Sequence, residues 1–143
     1  MQYISTRGEA PFLNFGDVLL EGLAIDGGLY LPEAWPSLAM ENITANSSSE
    51  RGYVDVAVEV LKPFTSGSLD QLELKELATR AYESFAHPEI IPLKELGSNI
   101  WLMELFHGPT LAFKDVALQL VGQMFDHELD KRKERITIVG ATS

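Results

Sequence analysis

The chain has 143 residues, 45% of them hydrophobic and 22% charged, with a formal net charge of −10. Those proportions describe an ordinary folded protein rather than a disordered one, and the acidic balance argues against nucleic acid and anionic membrane surfaces as partners. Cysteine is absent, which excludes disulfides, thiolate chemistry and cysteine metal sites.

In chain order, residues 3–6 read as a short edge strand ended by Arg7-Gly8. Asn14 or Phe15 opens a short helix whose apolar stripe is Val18, Leu19, Leu20 and Leu23. Asp26-Gly27-Gly28 breaks the chain, and Leu29-Tyr30-Leu31 reads as a strand stopped by Pro32. Trp35-Pro36 begins another turn, and residues 42–49, rich in Asn and Ser, read as an exposed loop. Ser49 is placed to cap a helix that runs to about Leu61 and buries Tyr53, Val54, Ala57, Val58 and Leu61. Its β-branched residues lower helix propensity, so tertiary packing must hold it, and Pro63 is expected to end it. A second helix opens at Ser68, with Gln71 completing a capping box. Its stripe of Leu74, Leu77, Ala78, Ala81, Tyr82 and Phe85 has helical spacing on one side, and His87-Pro88 closes it.

The composition shifts after about residue 88. Residues 92–97 read as a linker and residues 100–106 as a strand. The helix after Lys114 is expected to bury Ala117, Leu120, Val121, Met124, Phe125 and Leu129, and it ends in Lys131-Arg132-Lys133, where positive charge suits the helix dipole. Residues 136–139 form a β-branched run of the kind found in strands covered on both faces. Strand, helix and strand make a βαβ unit and imply a parallel sheet. One such unit cannot bury both faces of its sheet, and the sequence stops where open α/β sheets place their ligands. The expectation is the N-terminal portion of a longer α/β protein: a small mixed α+β domain over residues 1–90, then residues 91–143 as the start of an α/β domain. The N-terminus lacks a basic segment followed by an apolar core, and no stretch reaches the roughly 18 apolar residues of a membrane span, so a cytoplasmic location is expected.

Three features can carry chemistry. Lys114 stands where a strand and a Gly-Pro turn run into a helix, flanked by Phe113 and Asp115. The positive end of the helix dipole and desolvation both favour its neutral amine, the form that attacks an aldehyde to make a Schiff base. The plainer alternative is a solvent-facing first-turn lysine paired with Asp115. Gly140-Ala141-Thr142-Ser143, after the last strand, can hold an anion on backbone N–H groups and hydroxyls, or can be only a turn. His107 reads as a turn histidine and His127 as surface; with His87 they share no metal-ligand spacing, so no metal is expected.

The twelve residues Glu104-Leu105-Phe106-His107-Gly108-Pro109-Thr110-Leu111-Ala112-Phe113-Lys114-Asp115 resemble the cofactor-lysine motif of threonine synthases. Ala141-Thr142-Ser143 resembles the start of that family's Ala-Thr-Ser-Gly-Asp-Thr-Gly loop, and residues 3–8 and 27–32 resemble its N-terminus. The resemblance implies a pyridoxal 5'-phosphate lyase of the tryptophan-synthase-β-like fold class, with residues 91–143 opening the cofactor-binding domain. It implies conversion of O-phospho-L-homoserine and water to L-threonine and phosphate. Lys114 would carry the cofactor and act as the base at Cα and then Cβ, while Thr142 and Ser143 would begin the loop that binds the substrate carboxylate. Thr110 and Phe113 would shape the turn and pack the lysine, and Asp115 would anchor the helix start. The expected partners are the small-molecule substrate and the rest of the same polypeptide, as a monomer or weak dimer. Much of the motif-bearing loop and the cofactor phosphate cradle are missing from these residues, so this chain alone is expected to be inactive. The competing readings are a serine or threonine dehydratase of the same fold class and a non-catalytic structural domain.

Overall fold

The computed structural model describes residues 1–45 and 52–140. Three short strands form an antiparallel sheet in which β1 (Gln2–Ser5) lies between β2 (Leu13–Asn14) and β3 (Tyr30–Pro32). The segment expected at a sheet edge is therefore central, because Tyr3 is paired on both sides, with Leu13 and with Pro32. Pro32, which has no N–H to give, is confined to an outer strand as sheet chemistry requires. The Asp26 carboxylate ties the loops at the end of this sheet. It accepts hydrogen bonds from the Ser5 hydroxyl at 2.7 Å and from the N–H groups of Glu9, Ala10 and Gly28 at 2.9–3.0 Å. A Cβ at position 28 would overlap the Ser5 hydroxyl, which is why glycine stands there.

Helix α1 (Phe15–Glu21) is capped by Asn14, whose side chain accepts from the Asp17 N–H at 3.0 Å. Residues 40–45, read partly as loop, form helix α2 (Met40–Ala45), and residues 46–49 of that expected loop lie outside the described residues. Helix α3 (Tyr53–Thr65) is capped by Gly52 rather than Ser49, which also lies outside the described residues. It continues through Pro63 instead of ending there. A proline removes one backbone bond, but Thr65 is buried and its hydroxyl donates to the carbonyls of Leu61 and Lys62 at 3.3 and 3.4 Å, which holds the last turn.

Helix α4 (Gln71–Tyr82) carries the capping box on Asp70 and Glu73, each side chain accepting the other's backbone N–H at 2.8 Å. The expected Ser68–Gln71 box is displaced because Asp70 directly precedes the first helical residue, where a carboxylate meets the positive end of the dipole. Ser68 instead accepts the Gly16 N–H at 3.1 Å. The stripe read from the sequence is the core: Leu74 and Leu77 are 0% and 1% exposed, and Ala78, Ala81 and Tyr82 are buried with Val58, Leu120 and Met124.

Strands β4 (Leu93–Gly97) and β5 (Ile100–Met103) form an antiparallel hairpin, so the presumed linker of residues 92–97 is half of a sheet. Ser98 and Asn99 connect them with φ of 52° and 62°, the pair of left-handed residues that matches strand twist in a two-residue hairpin. Helix α5 (Asp115–Arg132) then packs along α4 and joins the same core through Leu120 and Met124. Of its other expected core residues, Val121, Phe125 and Leu129 are half-buried and Ala117 is exposed. Its far end is tied to α1. The buried Glu128 carboxylate presses on Gly16, and Arg132 donates to Glu128 and Asp17, both at 2.6 Å.

The architecture is mixed α/β. Among the described residues, positions 134–140 carry no strand, and the parallel pairing expected of residues 136–139 is not shown. No helix among the described residues is long and apolar enough to cross a membrane.

The α3–α4–α5 core predicts a specific asymmetry along α4. Leu74→Ala, at a fully buried site, should lower unfolding free energy by about 3 kcal/mol in urea titrations. Leu72→Ala, at a site 67% exposed, should stay within about 0.5 kcal/mol of the parent. Equal losses at the two positions would contradict this packing.

Candidate functional site around Lys114

Strand β5 leads through residues 104–107 into a tight turn, and the turn delivers Lys114 as the capping residue of α5. Lys114 has helical backbone angles, φ −61° and ψ −24°, and its carbonyl accepts the N–H groups of Ala117 and Leu118 at 3.2 and 2.9 Å. The N–H groups of Asp115 and Val116 are taken by the carbonyls of Ala112 and Phe113 at 3.0 and 3.3 Å. Those donors serve the turn, so the start of α5 is not an open anion cradle.

The Lys114 side chain is exposed and, among the described residues, holds no hydrogen bond or ion pair. The desolvation expected from its apolar neighbours is therefore not supplied by this chain. Beside it lies a shallow depression of about 380 Å3, lined by Leu105, Phe113, Val116, Ala117 and Leu118 as well as the lysine itself. A larger groove of about 480 Å3 between α1, α3 and α5 has an apolar lining with no charged side chain, and chemistry is not expected there.

Asp115 does not pair with Lys114. Its carboxylate turns inward, 3% exposed, where one oxygen accepts the Thr110 N–H at 2.8 Å and the Thr110 hydroxyl at 2.9 Å. The other oxygen accepts from the Gln119 amide at 3.3 Å. Burial by itself would raise this carboxyl; the bonds from Thr110 and Gln119 outweigh it and hold the group below its ordinary value. Gly108 lies so close that a Cβ would overlap the Asp115 side chain, and Leu111 takes φ +60°, a conformation L residues seldom adopt. Thr110 thus shapes the turn, and Phe113 stands 65% exposed at the rim of the depression.

His107 and Glu104 make a pair that sequence reasoning missed. Their Nε2 and Oε2 atoms are 2.7 Å apart, and the His107 ring sits 5.0 Å from that of His87. The His107 carbonyl accepts the Ala86 N–H at 2.9 Å, which fastens the loop to the segment after α4. The i, i+3 spacing of Glu104 and His107 was the available signal, but it is a helical spacing on a stretch that is not helical. No cluster among the described residues can hold a metal ion. His127, read as surface, faces Glu73 from between α5 and α4 at 3.4 Å. Gly140 is exposed, while Thr142 and Ser143 lie outside the described residues.

Residues 2–82 match the family described as "Threonine synthase N terminus". The chain is 53% identical over 143 residues to a threonine synthase of Pseudomonas aeruginosa, covering 100% of this chain and 30% of that protein. It is 40% identical over 152 residues to a threonine synthase of Schizosaccharomyces pombe, again covering 100% of this chain and 29% of the relative. Among solved structures it is similar to a threonine synthase from Brucella melitensis described as PLP bound. That similarity has a TM-score of 0.88 and 50% identity over 94% of this chain and 29% of the other. The chain thus spans about 30% of the length of the curated relatives it matches.

The lowered Asp115 carboxyl gives a signed prediction. Its contribution to stability is complete above the unfolded carboxylate value of roughly 4 and is lost as pH falls through the lower folded value. Asp115→Asn removes that contribution, so urea midpoints of parent and variant should differ most at neutral pH and converge in acid. A constant gap between pH 7 and pH 3 would show that this carboxylate is not the group responsible.

Proposed function

The chain belongs to the threonine synthase family, and we propose that the enzyme carrying it converts O-phospho-L-homoserine and water to L-threonine and inorganic phosphate, using pyridoxal phosphate. The observation that carries this reading is the placement of Lys114. An amine without a partner among the described residues leaves the helix start beside an apolar depression, an arrangement that fits an aromatic aldehyde cofactor. The solved relative described as PLP bound, 50% identical to this chain, supports the same cofactor.

When bound, pyridoxal phosphate supplies an electron sink for negative charge at the substrate Cα. Lys114 would hold the cofactor through its amine. Released when the substrate amine takes its place, that amine would remove the Cα proton and then a proton from Cβ, so that phosphate can leave Cγ and water can add at Cβ. Phe113, Leu105 and Leu118 wall the depression beside the lysine. Thr142 and Ser143 would begin the loop that receives the substrate carboxylate. Residues 91–143 would open the cofactor-binding domain after an N-terminal domain of residues 1–90. Support comes from the hairpin, whose Ile100, Trp101 and Met103 stand exposed and need cover from the rest of the polypeptide. The enzyme would work in the cytoplasm, as a monomer or weak dimer.

In the complete enzyme, Lys114→Ala should lower threonine formation by about a thousandfold or more, and borohydride should no longer fix the cofactor on the chain. Turnover retained in that variant would overturn the assignment of the base. Product analysis separates the nearest competitor: threonine with stoichiometric phosphate supports the proposal, whereas an oxo acid would indicate a dehydratase.

A further inference from the structure

We propose that Asp115 is a positioning residue for Lys114, its carboxylate clamping the turn so that the lysine amine leaves α5 in one direction. This rests on the reading of Lys114 given above. The first support is the carboxylate itself, which spends both its oxygens on the turn and the helix it joins: Thr110 through two donors and Gln119 through one. A buried carboxylate with that set of charge-assisted bonds has little freedom to move.

The second support is the shape of the turn. Gly108 is pressed against Asp115 and Leu111 is held at φ +60°, so the backbone is in a conformation that persists only when its surroundings over-determine it. The carboxylate bonds to Thr110, between those two residues, supply that constraint. The third is the position of Lys114, which has no side-chain partner of its own among the described residues. The position of its Cα and the direction of its Cα–Cβ bond, from which the side chain sets out, are therefore what the backbone on either side fixes. On the C-terminal side Val116 is fixed by the Tyr82 hydroxyl, which donates to its carbonyl at 3.1 Å. On the N-terminal side the Asp115–Thr110 bonds are the corresponding anchor. A displacement of about 1 Å at a reacting group can cost a hundredfold in rate, so the clamp bears on chemistry as well as on stability.

The test uses the complete enzyme stripped of cofactor, as parent, D115A, D115N and T110V. Covalent capture of added pyridoxal phosphate is followed by absorbance and, after borohydride, by mass on the Lys114 peptide; kcat and KM are measured on the reloaded proteins. D115A should slow capture and lower kcat by about ten- to a hundredfold with little change in KM. D115N, whose amide oxygen can still accept both Thr110 bonds, should recover most of the loss. T110V, which keeps only the backbone bond, should fall between. A purely structural role would lower the melting temperature without slowing capture in the folded fraction, and that result overturns the proposal. If D115A does not fold, T110V decides, and a parent-like capture rate there also overturns it. No adduct on Lys114 in the parent overturns the cofactor-lysine reading and this proposal together; an adduct that forms as fast in D115A as in the parent overturns this proposal alone.

Discussion

Helix α5 can start where it does because α4 holds it from the side. Leu74, Leu77, Ala78 and Ala81 on α4 share one core with Leu120 and Met124 on α5. At the end of that contact the Tyr82 hydroxyl reaches the Val116 carbonyl, one residue beyond the turn. Burial raises the Tyr82 phenol well above its usual range, so it stays a neutral donor at any ordinary pH. Helix propensity cannot supply this placement. A helix begun by lysine, without a side-chain cap, is weakly specified at its own N-terminus, and its starting residue is fixed by what it packs against.

The polar groups of the chain follow a common logic. Two acidic side chains that sequence alone would send to the surface, Asp115 and Glu128, are buried at opposite ends of α5. Each lies against a glycine, Gly108 or Gly16, that has no room for a Cβ. Each is satisfied, by Thr110 and Gln119 at one end and by Arg132 at the other. Asp26 does the same for the N-terminal loops with four donors. A buried carboxylate without donors would cost several kcal/mol, so these clusters also penalise any alternative docking of α5 or of the loops. The net charge of −10 is thus partly spent inside the fold, where each charge has a defined set of donors.

Helical periodicity was legible wherever one face is buried. The α4 stripe is the core residue for residue from Leu74 to Tyr82, because a repeat near 3.6 leaves little choice of face. Boundaries were less legible. The cap moved from Ser68 to Asp70 because either residue can accept an N–H, and local sequence does not say which register packing prefers. The hairpin was missed because Leu93 to Gly97 lacks β-branched residues, and its pairing is visible only with β5 and the Ser98-Asn99 turn in place. The α5 stripe was overfilled, since Ala117 is exposed, between the Lys114 depression and the apolar groove beside the core.

What the sequence determined by itself was a candidate site and the resemblance from which its chemistry is proposed: a lysine after a Gly-Pro turn, in a twelve-residue string with few alternatives. It also determined the main core helix, because burial on one side is written in the period of apolar residues. Only the tertiary structure decided that Asp115 turns away from its neighbour Lys114 and toward Thr110. A carboxylate beside an ammonium and a carboxylate beneath a turn look the same in one dimension. They differ only in the close approach of Gly108, in the φ of Leu111 and in the α4 surface that fixes where α5 begins.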